Sequence, residues 1–254
     1  MEERKTTILA MAGKGGVGKT SVAATLVRLL CQAHPDKKIL AIDADPAVGL
    51  STALGVETGL TVDDIRKAVV RQAQDGSTQA AVELLGEARC RIFDAVTEKP
   101  GFAFLAIGRP ESAGCYCKIN GYLKEVISLL AQNFDYVVID GEAGIEQINR
   151  RVMEKVTHLL LITDASKKGT QVIQTVKKVA DELVLYEKVG AIVNRLPSRD
   201  IIPLLDTGGI PVLSYIENDE ALASFDIRGE NVFYLPENAN IVRGVKEALE
   251  KLGV

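Results

Sequence analysis

Short apolar runs alternate with longer amphipathic stretches along the whole chain. Thr7 to Ala12 reads as a buried strand, and Ser21 to Cys31 follows with Val22, Leu26, Leu29 and Leu30 at helical spacing. Pro35-Asp36 breaks the chain before a second run, Lys38 to Asp43, which ends in acid. Further strands are expected over Gly101 to Ala106, Phe134 to Asp140, Thr157 to Thr163, Val189 to Val193 and Ile210 to Ile216. Between them lie amphipathic helices. Leu123 to Ala131 puts Leu123, Val126, Ile127 and Leu130 on one face. Val172 to Tyr186 turns Val172, Ile173, Val176, Val179, Ala180 and Leu183 inward. Glu217-Asn218 opens another helix, and Ile241 to Leu252 closes the chain. The strands are continuously apolar rather than alternating, which is the signature of a parallel sheet covered on both sides. The pattern predicts an α/β fold: a mostly parallel, twisted sheet of seven or eight strands with helices on both faces.

Residues 56–100 fit this pattern less well. Thr61 reads as a helix start with Asp63 and Asp64 in the first turn. Val69 to Arg91 is helical in character but interrupted near Asp75-Gly76-Ser77. We read 1–254 as a single domain carrying a helical insertion around 56–100.

Length and composition narrow the class. A chain of 254 residues makes one large α/β domain. Its 47% hydrophobic content without Trp suits a Val/Ile/Leu/Ala sheet. A net charge of −4 gives no basic surface for nucleic acid. Met1 to Thr6 is charged and runs directly into the first strand, so no signal peptide is expected. No apolar run reaches membrane-spanning length. We therefore expect a cytoplasmic protein that binds neither nucleic acid nor membrane. Its four cysteines are then thiols or metal ligands rather than disulfides, with Cys90 a half-buried thiol. His34 and His158 are too isolated to form a catalytic or metal site and read as structural.

The chemistry begins at Gly13-Lys14-Gly15-Gly16-Val17-Gly18-Lys19-Thr20, between the first strand and a helix opening at Ser21. A strand, then Gly-x-x-x-x-Gly-Lys-Thr, then a helix is the context of a phosphate-binding loop. Small residues let backbone N–H groups converge on phosphate oxygens, and the helix N-terminus and Lys19 add positive charge. Thr20 offers a hydroxyl to Mg²⁺ bridging the outer phosphates of ATP or ADP. Asp43-Ala44-Asp45-Pro46 ends the second strand at the edge where open parallel sheets bind ligands. Asp140 ends an apolar run of Walker B character and is placed to hold a Mg²⁺-bound water.

Lys14, second in the loop, makes the sequence resemble the deviant Walker A ATPases, the P-loop family of nitrogenase iron protein, MinD, ParA, ArsA and the nickel-insertion ATPases. The resemblance implies that Lys14 reaches the partner's nucleotide across a homodimer, as an arginine finger does elsewhere. It implies that Asp45 orients the attacking water, and that Asp43 lies near the Mg²⁺ shell or pairs with Lys19. The glycine amide of Gly144, in Gly141-Glu142-Ala143-Gly144, would sense the γ-phosphate. Asn194 would read the adenine edge, and backbone near Glu217 would close over the base.

Cys115-Tyr116-Cys117, in a loop before a helix, is the distinguishing signal. Two thiolates supply half of a four-ligand site, and a two-fold dimer would supply four on its axis. Four thiolates hold Zn²⁺ or Ni²⁺, and the spacing does not choose. Ser112 to Cys117 and Asp140 to Glu146 resemble the CooC-type nickel ATPases. That resemblance implies Ni²⁺ and a client nickel enzyme of the carbon monoxide dehydrogenase or acetyl-CoA synthase type. Two other readings remain. An iron–sulfur redox ATPase like nitrogenase iron protein would need a cysteine in switch II, and Asp140 to Gln147 has none. A positioning ATPase of the MinD or ParA type would need a basic amphipathic tail or a basic face. Lys246 and Lys251 are instead balanced by Glu247 and Glu250.

Overall fold

Seven apolar runs and one short polar run form a single eight-stranded sheet in the computed structural model. The structure describes residues 5–45, 49–74, 78–108, 117–141, 145, 152 and 154–254, with backbone only at 72–74, 78–85 and 117–119. The strands are β1 (Thr7–Gly13), β2 (Ile39–Asp43), β3 (Thr97–Lys99), β4 (Phe102–Ala106), β5 (Tyr136–Asp140), β6 (His158–Asp164), β7 (Lys188–Leu196) and β8 (Val212–Glu217). Their order is β3-β4-β2-β5-β1-β6-β7-β8. Every neighbouring pair is parallel except β3 with β4. The chain runs one way from β1 through β2 and the other way through β6, so the order reverses at β1. Open α/β sheets place their ligand crevice at such a reversal.

Side chains alternate across each strand, which gives the sheet two apolar faces. Ala10, Leu105, Ile139 and Leu161 pack on one face against α3 (Val62–Gln74), α4 (Thr78–Asp94), α5 (Cys117–Ala131) and α6 (Lys167–Leu183). Leu9, Phe104, Val138 and Leu160 pack on the other against α1 (Lys19–Ala33), α2 (Gly49–Leu54) and α8 (Asn240–Leu252). Each large side chain so buried contributes about 1.5–3 kcal/mol. The remaining described α-helix, α7 (Glu220–Arg228), follows β8. Among the described residues no helix is long and apolar enough to cross a membrane.

Thr61 starts α3 as the sequence suggests. Its hydroxyl accepts the Asp64 N–H at 3.2 Å, while its own N–H and hydroxyl donate to Asp64 Oδ2 at 3.0 and 2.6 Å. This reciprocal cap satisfies orphan groups at the helix start. The break near Asp75 falls on residues outside the description, between α3 and α4.

Several expectations are corrected. Strand β3 was not anticipated: Thr97-Glu98-Lys99 is polar, and it pairs only because the Pro100-Gly101 turn folds it back on β4. Helix α5 begins at Cys117, six residues earlier than the apolar spacing suggests, so Cys117 is helical rather than in a loop. Helix α6 begins earlier, with Ser166 accepting the Gly169 N–H as its cap, and stops at Leu183. Leu183 is 43% exposed rather than on the inner face. Glu217 ends β8 instead of opening a helix, because Asp219 caps α7 by accepting the Leu222 N–H. Cys90 is exposed, not half-buried. His34 stacks on Tyr136 at 5.0 Å between ring centres, and His158 is buried against the Thr157 hydroxyl.

Candidate functional site

Register brings the acids together. Asp140 of β5 pairs with both Met11 of β1 and Asp43 of β2, and Asp164 of β6 pairs with Asn194 of β7. The phosphate loop leaves β1 at the same edge. Gly13 lies so close to β6 that a Cβ there would stand 2.0 Å from the Ile162 carbonyl oxygen. Gly18, with φ of 93°, turns the loop into α1, and a Cβ there would meet the Asn194 amide at 2.6 Å. Gly15 and Gly16 face solvent, Val17 is buried, and Ser21 is buried inside the first turn of α1.

Lys19 is 7% exposed, and its ammonium donates to the Lys14 carbonyl at 3.2 Å. Lys14 donates to Asp164 Oδ2 at 2.6 Å within its own chain. Burial pushes the Asp164 carboxyl up, but hydrogen bonds from Lys14 and Ser166 outweigh it and hold it below the usual range. Asp164 lies just beyond the expected run Thr157 to Thr163, which gives it no role in sequence; in the fold it ends β6 level with Asn194 and is the acid that pairs with Lys14.

Asp43 holds the backbone of the segment after β2. Its oxygens accept the Asp45 N–H at 3.2 Å and the Leu50 N–H at 2.9 Å. Burial raises its carboxyl to about 6 against those bonds. Asp45 follows it, half-buried.

Asp140 is fully buried, and neither carboxylate oxygen has a hydrogen-bond partner meeting ordinary geometry. Burial raises its carboxyl to about 7; the nearby Thr20 hydroxyl and Lys19 oppose the rise, and the Asp43 and Asp45 charges add to it. A buried carboxylate supplied with no donor beyond the neighbouring Thr20 hydroxyl, at the sheet's ligand edge, fits holding a water of a hydrated divalent cation. Thr20 would contact Mg²⁺ and Asp140 would hold its water.

Asn194 and Arg195 end β7 against the loop. The Asn194 side chain donates to the Val17 carbonyl at 2.9 Å, and Arg195 donates to the Gly16 carbonyl at 2.8 Å. The amide expected at the adenine edge is thus engaged with the loop itself. Glu217, expected near the base, pairs with Arg199 at 3.3 Å. The Arg195 contact was not expected, since nothing in its spacing marks it.

The chain after β4 also reaches this edge: the Ile107 N–H donates to the Asp43 carbonyl at 2.8 Å. Cys115, Tyr116 and Gly144 lie outside the described residues, as does the side chain of Cys117. Among the described residues, no group of three or more His, Cys, Asp or Glu is arranged to hold a metal.

Comparison with known proteins agrees with this geometry. A family model described as the CobQ/CobB/MinD/ParA nucleotide binding domain matches residues 8–232. An ATP-binding protein of Methanocaldococcus jannaschii is 35% identical over 250 residues, covering 96% of this chain and 98% of that one. The carbon monoxide dehydrogenase accessory protein CooC of Rhodospirillum rubrum is 26% identical over 245 residues, covering 86% and 89%. The septum site-determining protein MinD of Pyrococcus horikoshii, solved with Mg-ADP, shares the fold with a TM-score of 0.69 at 22% identity, covering 98% and 96%.

Proposed function

The chain belongs to the CobQ/CobB/MinD/ParA nucleotide-binding family and is an ATPase, and we propose that its ATP cycle serves nickel handling by a homodimer. The client is a nickel enzyme of the carbon monoxide dehydrogenase or acetyl-CoA synthase type. The observation that carries this reading is Cys115-Tyr116-Cys117, in a chain similar to CooC. Each subunit offers two thiolates, and a dimer axis offers four for a cargo Ni²⁺, or for Zn²⁺.

The nucleotide half of the cycle follows from the loop. Its amides, Lys19 and Thr20 hold the phosphates of ATP or ADP, and Asp45 orients the attacking water. Thr20 would hold Mg²⁺ and Asp140 its water, and the cation would supply positive charge against the negative charge that develops during transfer. Lys14 serves the partner's nucleotide, so it must exchange Asp164 for that site when the dimer closes. Gly144 senses the γ-phosphate and backbone near Glu217 closes over the base, while the Asn194 amide is held by the Val17 carbonyl of the loop.

Elemental analysis of protein purified without oxygen tests the metal assignment. Nickel or zinc at about half an equivalent per chain is expected, and Cys115→Ser or Cys117→Ser should remove it. Iron with sulfide would favour the redox reading. Protein whose metal content ignores both cysteines would contradict ours.

A further inference from the structure

Among the described non-glycine residues, Arg195 is the one with a positive φ, 57°. A side chain in that region is strained, and such strain persists where the surroundings over-determine it. Here the surroundings are the phosphate loop. Arg195 Nη1 donates to the Gly16 carbonyl at 2.8 Å across 179 positions of sequence. The preceding residue does the same one step along: Asn194 Nδ2 donates to the Val17 carbonyl at 2.9 Å. Asn194 also packs directly against Gly18. Two adjacent side chains therefore grip two consecutive loop carbonyls, and the left-handed turn at Arg195 lets both reach the same stretch. Asp226 on α7 lies within electrostatic reach of Arg195.

Peptide geometry gives this grip a consequence. In a trans peptide the carbonyl of one residue and the N–H of the next point in opposite directions within one plane. Tying down the Gly16 and Val17 carbonyls fixes the Val17 and Gly18 N–H groups facing the other way. A loop of glycines has many other conformations open to it. An anion site made of backbone N–H groups binds well when those groups already converge.

We propose that Asn194 and Arg195 are positioning residues that clamp the Gly16 and Val17 carbonyls and so hold the loop amides ready for phosphate. The clamp acts on the phosphate end of any nucleotide and not on its base. It depends on nucleotide binding alone, so it holds or fails independently of the cysteine metal site.

The test compares wild type with Arg195→Met, Asn194→Ala and Arg195→Gly. Arg195→Met keeps the length and loses the donors. Arg195→Gly loses the donors and the strain together. Hydrogen exchange is followed over residues 13–20 in nucleotide-free protein, and dissociation constants are measured for ADP and inorganic pyrophosphate. We expect faster loop exchange in all three variants. Both ligands should weaken by about tenfold and by the same factor, the scale of one charge-assisted hydrogen bond. Arg195→Gly should lose affinity with no loss of thermal stability, which a merely structural role would not allow. Unchanged exchange with lost affinity would mean that Arg195 touches phosphate directly, and overturns the clamp. Loss confined to ADP would mean that the pair reads the base, and overturns it too, as would unchanged affinity for both.

Discussion

At the scale of single residues, the account turns on a carboxylate held in an uncomfortable place. Asp140 is raised to about 7 and Asp43 to about 6, in each case chiefly by burial. An acid whose value rises on folding holds its proton longer in the native chain than in the unfolded one. Between about pH 4 and pH 7 the native state therefore binds more protons, and stability falls as pH rises through that window. Without nucleotide, Asp140→Asn cannot ionise and escapes the larger part of this loss. Thermal melts of nucleotide-free protein should show the variant more stable than wild type at pH 8, by roughly 2–4 °C for each kcal/mol regained. The advantage should vanish near pH 4.5. With Mg-ADP the order should reverse, because the variant no longer holds the cation's water. A variant less stable than wild type at pH 8 without nucleotide would show that Asp140 is well accommodated, and that its cost has been misjudged.

At the scale of elements, the helix that follows the phosphate loop is tied to the C-terminal part of the chain by Arg28 of α1, whose side chain is 3% exposed. It donates to the Val232 and Leu235 carbonyls at 3.1 and 2.7 Å and pairs with Glu237, fixing the short 3₁₀ turn Val232–Tyr234 onto α1. Two carbonyls lose their donor in Arg28→Met, which should cost about 2–4 kcal/mol. Glu237 is 70% exposed, so Glu237→Gln should cost under about 1 kcal/mol. Urea unfolding would read the difference as a shifted midpoint at constant slope; equal losses in the two variants would place the energy in the ion pair instead. Much at this scale is legible in the sequence. The central strands are continuously apolar because both faces are buried, and that run length is visible in the residues themselves. The loop and its acids are legible because one motif and the sheet edge determine them. What escapes is set by partners distant in sequence. Thr97–Lys99 is a strand only because β4 lies beside it. Asp164 is notable only because β6 lies beside the loop that carries Lys14. Helix α5 starts before its apolar stripe does, so spacing places its first turn too late.

At the scale of the whole molecule, one sheet edge carries the phosphate loop and its acids, and β4 ends at that edge ahead of the cysteines in sequence. The phosphate loop, Asp43, Asp140 and Ile107 follow or end strands that adjoin in the sheet. Lys14 is paired within its own chain, and dimer closure around ATP would have to exchange that partner. If closure also moves the cysteine segments at the axis, ATP and metal each change the other's affinity by the same factor, because linkage is reciprocal. Metal that bridges two chains also favours the dimer by mass action. The most direct measurement is a nickel titration followed by size-exclusion chromatography and native mass spectrometry, on wild type and on Cys115→Ser and Cys117→Ser. The account predicts one Ni²⁺ per two chains, dimer formation that tracks nickel, and loss of both in either variant, with ADP binding retained. A monomer that takes one Ni²⁺ per chain, indifferent to both substitutions, would contradict it.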